Sequence, residues 1–376
     1  MSITGGVSTI LNTYLQVVYD YGGSDLHLQA GAPPAVRING DMNFLDEPPL
    51  EASQAEDILL PILSDRLSQE FLDTGSVDFS YEVPGMARFR VNFLLHTRGM
   101  GGVFRMIPSR IPSFDDLGLP PIVTNIARMD KGLVVVTGPT GSGKSTTLAA
   151  IINHINRTKR KHIITLEDPI EFVHTSDKAM IQQREMGDHA KSFSSALRAA
   201  LRESPDIILL GEMRDLETIS EAIRAAETGH LVFGTLHTNS AARTVDRIVD
   251  VFPAEEQEQI RQMLSASLKA VIAQQLLRTR DRKGRVAALE IMLVNFGIAG
   301  LIRENKSGMI PSFIHMGAEE GMQSMDSHLI ELCQSGWIDT RTAFDNCIDR
   351  GVLSRAGLVD PEEDLVASQD VSEADV

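Results

Sequence analysis

Apolar and polar residues alternate with two different spacings over the first hundred residues, and together they predict a small unit of helices and strands. Helical spacing relates Ile10, Tyr14 and Val17, whereas residues 24–31 and 35–40 alternate in the manner of a β-hairpin. This order favours an antiparallel sheet with helices against one face. A second helix and three more strands are predicted at residues 51–73, 77–85, 87–97 and 101–108.

A different pattern begins after a segment rich in Pro, Ser and Gly. We therefore predict a first domain at 1–110, a linker at 111–121 and a second domain at 122–359. The second domain contains short apolar runs that each end in polar or charged residues. Such runs are typical of buried parallel strands whose carboxyl ends carry the chemistry. Four of them occupy residues 132–138, 162–168, 206–212 and 231–238.

Two segments near the end of the chain complete this prediction. Residues 254–277 place Ile260, Leu264 and Val271 on one face, which predicts a long helix. The segment 360–376 is acidic and short of large apolar residues, and this composition predicts a disordered tail.

Composition and charge narrow the class of protein. Its 43% hydrophobic and 23% charged residues are typical of a soluble globular protein, and its net charge of −16 argues against nucleic acid as the main partner. The two cysteines, Cys333 and Cys347, form no zinc-ligand pattern. No apolar stretch approaches the ~20 residues of a membrane span, and no Lys or Arg precedes Arg37. We therefore expect no membrane insertion, no signal peptide and a cytoplasmic location.

A glycine-rich stretch joins the first apolar run to a helix-like pattern. Residues 138–145 read GPTGSGKS and fit the motif G-x-x-x-x-G-K-[ST] in full, with a flexible glycine turn as the alternative interpretation. Backbone N–H groups at the helix start can cradle a phosphate, the Lys144 ammonium can neutralise β- and γ-phosphate oxygens, and the Ser145 hydroxyl can ligate Mg²⁺. The motif therefore predicts a site for ATP and Mg²⁺. The residues assigned to the nucleotide are Gly138, Pro139, Thr140, Gly141, Ser142, Gly143, Lys144, Ser145 and Thr146.

Carboxylates end two of the other apolar runs. Glu212 could hold Mg²⁺ through water or polarise the attacking water, or it could simply cap its strand. Its position at the end of a strand predicts a place beside the phosphate loop. Glu167, Asp168 and Glu171 cluster around a turn-forming proline, an arrangement that like-charge repulsion disfavours unless a cation or a catalytic water uses it.

A histidine and several arginines form the remaining candidate site. His237 ends the fourth run, and both a structural role and a role as a γ-phosphate or interface sensor remain open. The last strands of the first domain carry Arg88, Arg90, Arg98 and Arg105. These side chains could form a solvated face, or they could reach the triphosphate of a neighbouring subunit as arginine fingers. Arg98 and Arg105 are the two that we assign to catalysis.

These motifs, taken in order, resemble those of the PilT family of type IV pilus retraction ATPases, within the secretion ATPase superfamily. The resemblance covers nearly all of residues 10–335 and includes SDLHLQAGAPPAVRING, GLVVVTGPTGSGKSTTLAA, EDPIEFVH, QQRE, GEMRDLETI and GTLHT. It implies an α/β fold in which a small PAS-like α+β N-terminal domain precedes a RecA-like P-loop ATPase domain. It also implies a homohexameric ring.

The resemblance further implies roles for single residues. Glu167 matches the catalytic base of the family's Asp box, Glu212 the Walker B acid, and His237 lies in the His box. The implied activity is hydrolysis of Mg-ATP to power pilus retraction and twitching motility, at the cytoplasmic face of the inner membrane. The implied partners are an inner-membrane platform protein and a paralogous retraction ATPase. The family's retraction motif is kept here only over residues 301–304, because Ala299-Gly300 replaces its Arg-Asn pair.

Two other functions remain open on the sequence. The chain could be an accessory retraction ATPase of the PilU kind, although its motifs are closer to those of PilT. It could also be a scaffold that binds nucleotide with negligible turnover, against which the complete pair Glu167 and Glu212 argues.

Overall fold

A computed structural model describes residues 8–38, 40–108 and 110–360. The chain divides into two compact units. The first extends to Arg110 and also includes Pro169–Val173, whereas the second comprises Ile111–Asp168 and the chain from His174 onward. The predicted tail lies outside the described residues apart from Asp360.

The first unit is built on a six-stranded antiparallel sheet with the order β3-β2-β1-β6-β5-β4. Its elements are α1 (Ser8–Asp20), β1 (Asp25–Gln29), β2 (Ala35–Ile38), β3 (Asp41–Phe44), α2 (Ala52–Leu59), α3 (Asp65–Thr74), β4 (Ser76–Val83), β5 (Ala87–His96) and β6 (Gly99–Ile107). The predicted hairpin and the three later strands are confirmed. The fully exposed strand β3 was missed, because none of its four residues is buried to mark a pattern.

The single helix predicted at residues 51–73 is wrong, since the chain forms two helices there. A 3₁₀ turn at Leu60–Ile62 follows α2, and its proline cannot donate the backbone hydrogen bond of a continuing helix. The side chain of Ser64 then accepts a hydrogen bond from the Leu67 N–H and caps the start of α3.

The second unit contains a seven-stranded sheet with the order β13-β12-β7-β11-β10-β8-β9, in which only the β12–β13 pair is antiparallel. Its strands are β7 (Gly132–Thr137), β8 (His162–Glu167), β9 (Met180–Glu185), β10 (Ile207–Leu210), β11 (Leu231–Leu236), β12 (Leu268–Arg278) and β13 (Arg285–Leu293). Its helices are α4 (Ile122–Ala127), α5 (Lys144–Thr158), α6 (Phe193–Ala200), α7 (Leu216–Glu227), α8 (Ala241–Asp250), α9 (Gln257–Ser267), α10 (Phe296–Arg303), α11 (Ile310–Met316), α12 (Met325–Gln334), α13 (Thr340–Asn346) and α14 (Arg350–Arg355). All four predicted parallel strands are confirmed, and so is the α/β class.

Helices cover both faces of this sheet. Along β7, Leu133 and Val135 belong to one buried cluster and Val134 and Val136 to another, as the alternation of a strand requires. The first cluster packs against α6 to α10 and the second against α4 and α5. Because β7 is buried on both faces, the loop that follows it starts from a fixed support.

The long helix predicted at 254–277 is wrong in its second half. Helix α9 ends at Ser267, and Leu268, Val271 and Ile272 belong to the strand β12. This strand lies between β7 and β13 and is buried on both faces along most of its length. A strand of that kind shows no alternation of apolar and polar residues, so periodicity cannot distinguish it from a buried helix.

Candidate functional site

The predicted phosphate loop lies between β7 and α5. Residues 138–143 form the loop, and Gly143 occupies the position before the helix with a φ of +88°. Gly138 and Gly141 also have positive φ values, which other residues rarely adopt. Helix α5 begins at Lys144, so its first N–H groups point into the loop and carry the positive end of the helix dipole.

The shape of the loop fits a phosphate group. A Cβ on Gly138 or Gly143 would collide with Gln274, whereas a Cβ on Gly141 would meet nothing within 4 Å. The loop is therefore packed on one side and open at Gly141. The buried Ser142 Oγ has no hydrogen-bond partner within the described part of the chain, and Lys144 Nζ donates to the Gly138 and Pro139 carbonyl oxygens at 2.8 and 3.1 Å. These donors suit the oxygens of a nucleotide's phosphates.

Gln274 on β12 is a residue of this site that the sequence reasoning missed. Its Nε2 donates to the Ser142 carbonyl oxygen at 2.7 Å, and its Oε1 accepts from Thr147 Oγ1 at 2.8 Å. The side chain is 3% exposed, so both bonds are shielded from water. Gln274 thus ties the phosphate loop and the first turn of α5 to β12.

Strand order places the candidate carboxylates at the same edge of the sheet as the phosphate loop. Strand β11, which leads to His237, lies directly beside β7, and β10, which leads to Glu212, lies one strand further. Glu212 therefore lies at the edge of the sheet that carries the phosphate loop, two strands away from β7. Two strand spacings put the end of β10 about 10 Å from the end of β7.

Glu212 and His237 contact each other at this edge. His237 Nε2 and Glu212 Oε1 are 2.9 Å apart, and Arg214 Nε forms an ion pair with the same carboxylate oxygen. Burial alone would raise the pKa of Glu212, but Arg214 and His237 together lower the pKa of this carboxyl below its ordinary value. Glu212 is therefore ionised at neutral pH and available as an acceptor or a metal ligand. The sequence did not predict that Arg214 pairs with Glu212.

Glu167 ends β8 as predicted. Its Oε1 accepts hydrogen bonds from Thr165 Oγ1 at 2.6 Å and from Gln183 Nε2 at 3.2 Å. Asp168 is exposed beside it, and its charge contributes to the raised pKa of Arg214, after the larger effect of the bond from that arginine to Glu212. The charges of Asp168, after β8, and Arg214, after β10, thus interact at this edge of the sheet.

A chain of hydroxyl groups joins the strand before the phosphate loop to the segment after His237. Thr137 Oγ1 donates to the Thr238 carbonyl oxygen at 2.7 Å, and Thr238 Oγ1 lies 2.6 Å from Thr244 Oγ1 on α8. The buried Glu290 on β13 accepts from the Ala241 N–H at 2.7 Å and so holds the start of α8. The loop that carries His237 is fixed on both sides.

The two arginines that we assign to catalysis have partners within the first unit. Arg98 Nη1 donates to the Gly31 carbonyl oxygen at 3.0 Å, and Arg105 Nε donates to Asp25 Oδ1 at 2.7 Å. Asp25 is 3% exposed, so Arg105 compensates a buried carboxylate. Arg90 lies opposite Arg105 across the β5–β6 pair on the exposed face, as the alternation along β5 predicts.

The segment that departs from the family's retraction motif lies in the helix α10. Ile298, Leu301 and Ile302 are buried, and Arg303 is half-buried. A Cβ on Gly300 would meet only the Arg303 side chain, at 3.8 Å. Gly300 is therefore not required by a close packing contact.

Within the described ranges no group of three His, Cys, Asp or Glu side chains is arranged to hold a metal ion. Ser145 and the ionised Glu212 present oxygen atoms of the kind that bind Mg²⁺ together with the phosphates of a nucleotide. No helix in the part of the chain that the structure describes is long and apolar enough to cross a membrane.

Known proteins resemble this chain over most of its length. The type IV pilus retractation ATPase PilT of Pseudomonas aeruginosa is 53% identical over 322 residues, which cover 86% of this chain and 93% of that protein. The crystal structure of the pilus retraction motor PilT with bound ADP has a TM-score of 0.85 at 46% identity, with 93% of this chain and 99% of that chain covered. The type IV pilus ATPase PilU of Pseudomonas aeruginosa is 38% identical over 330 residues, 88% of this chain and 86% of that protein.

A family model described as type II/IV secretion system protein matches residues 4–296. This match includes the phosphate loop, both candidate carboxylates and His237. The resemblance inferred from the motifs is confirmed, and the chain belongs to the type II/IV secretion system protein family.

Proposed function

We propose that this chain is a motor that hydrolyses Mg-ATP to power the retraction of type IV pili and twitching motility. The observation that carries the proposal is the pairing of a complete phosphate loop with the Glu212–His237 pair at one edge of the sheet. The 53% identity to the PilT protein supports the coupling of this site to pilus retraction.

In this proposal the phosphate loop binds and orients the triphosphate. The N–H groups at the start of α5 contact the β-phosphate, and Lys144 turns from the loop carbonyls to the β- and γ-phosphate oxygens. Mg²⁺, held by Ser145 and through Glu212, would neutralise the charge that develops on the phosphates. Gln274 keeps the loop in its binding conformation through the Ser142 carbonyl.

Glu167 acts on the attacking water in the same proposal. Its carboxylate is oriented by Thr165 and Gln183, and it can accept a proton from a water at the γ-phosphate. His237 shares the Glu212 carboxylate and so is suited to report the γ-phosphate to α8 through the loop that carries it.

We propose that the active form is a homohexamer in which the first unit of one subunit presents arginines to the ATP site of the next. Arg98 is the better candidate for the arginine that reaches the neighbouring ATP site. Arg105 already compensates the buried Asp25, whereas Arg98 donates to the Gly31 carbonyl oxygen. Helix α10 transmits the change at the ATP site to an inner-membrane platform protein, at the cytoplasmic face of the membrane. A paralogous retraction ATPase is a further partner of the same machine.

Two measurements test this function. Purified protein should release phosphate from Mg-ATP, and Glu212→Gln should abolish most of that release while Glu227→Gln, at an exposed carboxylate at the end of α7, should leave it intact. A strain that lacks the chain should lose twitching motility and accumulate pili. Normal motility in that strain would instead assign the chain an accessory role, and absent turnover in assembled protein would make it a nucleotide-dependent scaffold.

A further inference from the structure

The connection between β12 and β13 concentrates positive charge on an otherwise acidic protein. We call residues 278–285 the basic hairpin; they include four arginines and one lysine against a single aspartate, whereas the whole chain has a net charge of −16. The cations are Arg278, Arg280, Arg282, Lys283 and Arg285. Positive charges this close together repel one another, and the positive potential that they create attracts anionic groups.

The acidic neighbours of the basic hairpin are already engaged. Asp281 accepts from Thr279 Oγ1 at 2.6 Å and from the Lys283 N–H at 3.0 Å. Asp339 accepts from the Thr342 N–H at the start of α13, and this bond, followed by the charges of Arg282 and Arg280, lowers the pKa of its carboxyl. Over residues 8–38, 40–108 and 110–360, none of the five cationic side chains takes part in a hydrogen bond or an ion pair. The hairpin therefore presents its cations outward.

A cavity of about 620 Å³ adjoins these cations. The hairpin lines it together with Gly336 and Trp337, and the Arg280 N–H donates to the Trp337 carbonyl oxygen at 2.7 Å. Trp337 is 56% exposed and is the only tryptophan of the chain. The surface thus combines guanidinium groups with an exposed aromatic ring, which suits an acidic peptide with interspersed apolar residues.

Such a peptide begins close to the basic hairpin. Residues 361–376 carry six acidic side chains and no lysine or arginine: Glu362, Glu363, Asp364, Asp370, Glu373 and Asp375. Leu277 and Val286 lie at the base of the hairpin. Leu358 and Val286 both pack against the apolar cluster that contains Leu277. Asp360 is buried and bonded to Arg350 Nη1 at 2.9 Å, so the start of the acidic segment is fixed.

The reach of the acidic segment is sufficient for contact with the hairpin. A chain of 16 residues spans at most about 55 Å when fully extended. The first three carboxylates of the acidic segment come within its first four residues. A tether of this length gives a local concentration on the order of 1 mM, which compensates for the weakness of single exposed ion pairs.

We propose that residues 361–376 dock onto the basic hairpin of their own chain, with their carboxylates against its guanidinium groups and beside Trp337. The inference is independent of the proposed ATPase function. It accounts for a surface with five cations near two carboxylates, Asp281 and Asp339, on an acidic protein, and it makes this surface unavailable to other anions while the segment is docked.

Tryptophan fluorescence tests this proposal, because the single tryptophan lies at the site. The full chain should differ in emission from a chain that ends at Asp360, and a synthetic peptide of residues 361–376 should restore the emission of the full chain. If the peptide binds with a Kd of about 0.1 mM, a tethered segment at about 1 mM should raise the peptide's apparent Kd for the full chain about tenfold. Screening at about 1 M NaCl should remove the difference.

Matched variants keep the test decisive should the shortened chain fail to fold. A full chain with Glu362→Gln, Glu363→Gln and Asp364→Asn should show the emission of the shortened chain. The double variant Arg280→Ser/Arg282→Ser should bind the peptide at least tenfold more weakly, whereas Arg66→Ser/Arg224→Ser, which removes the same charge elsewhere, should not.

Three results would overturn the proposal. The first is equal affinity of the peptide for the full and the shortened chain. The second is an emission difference that disappears on dilution, since that would make the contact intermolecular. The third is binding of phosphatidylglycerol vesicles by the full chain as strongly as by the shortened chain, because a docked segment predicts vesicle binding only after its removal.

Discussion

Substitution of Gln274 by methionine removes both hydrogen bonds that tie the phosphate loop to β12 while keeping a side chain of similar length. In this variant Thr147 Oγ1 can donate instead to a backbone carbonyl oxygen of the preceding helical turn. Most of the cost therefore comes from the Ser142 carbonyl oxygen, which loses the hydrogen bond from Gln274 Nε2. A buried acceptor without a partner costs about 1–3 kcal/mol. In the variant without nucleotide, the phosphate loop relaxes away from its binding conformation. ATP must restore that conformation when it binds, so the cost appears as a weaker affinity for ATP.

We therefore expect Gln274→Met to weaken ATP binding about 5- to 150-fold, because 1.4 kcal/mol corresponds to a factor of ten. At saturating ATP the turnover should stay within about threefold of the wild type, since Glu167, Glu212 and His237 keep their contacts. Titration with a fluorescent ATP analogue and the KM for ATP both measure the effect.

Gln275→Met is the matched control, because this half-buried neighbour has no hydrogen bond from its side chain among the described residues. Thr147→Val removes only the second bond and should weaken ATP binding less than Gln274→Met does. A folded Gln274→Met protein whose ATP affinity stays within twofold of the wild type would refute the role of Gln274 in holding the loop.

Three further predictions concern the chemistry and its coupling to movement. Glu167→Gln and Glu212→Gln should each keep nucleotide affinity within about tenfold and lower turnover by roughly 10²-fold in phosphate-release assays, and loss of binding would make the carboxylates structural. Arg98→Ala subunits mixed with wild-type subunits should lower specific activity more than in proportion to their fraction, and a proportional decrease would exclude an arginine shared between subunits. Arg303→Ala on α10 should spare most of the ATPase activity and impair retraction in complemented cells, whereas intact motility would remove its coupling role.

The phosphate loop and the parallel strands could be predicted from the sequence because their signals are local. A glycine-rich loop after a short apolar run needs no knowledge of distant residues. The same holds for Glu167 and Glu212, whose places at strand ends follow from where each run stops. Their roles in turnover remain predictions.

Contacts between distant segments could not be predicted in this way. Gln274 lies 132 positions from Ser142, and its strand has no alternation that would have separated it from a helix. The place of β11 between β7 and β10 depends on strand order, which periodicity does not contain. Arg105 likewise pairs with Asp25, which lies 80 positions away in the sequence. This structural role of Arg105 could not be predicted from its exposed position on β6.

Steady-state phosphate release by purified wild-type protein and by Lys144→Ala decides whether this chain hydrolyses ATP at the phosphate loop. The Lys144 ammonium is the cation closest to the phosphate loop, donating to its carbonyl oxygens, and no other residue of the loop carries a positive charge. We predict Mg-ATP hydrolysis by the wild type and its loss in Lys144→Ala at an unchanged melting temperature. Hydrolysis by a folded Lys144→Ala protein at a rate near that of the wild type would exclude the phosphate loop as the site of ATP hydrolysis.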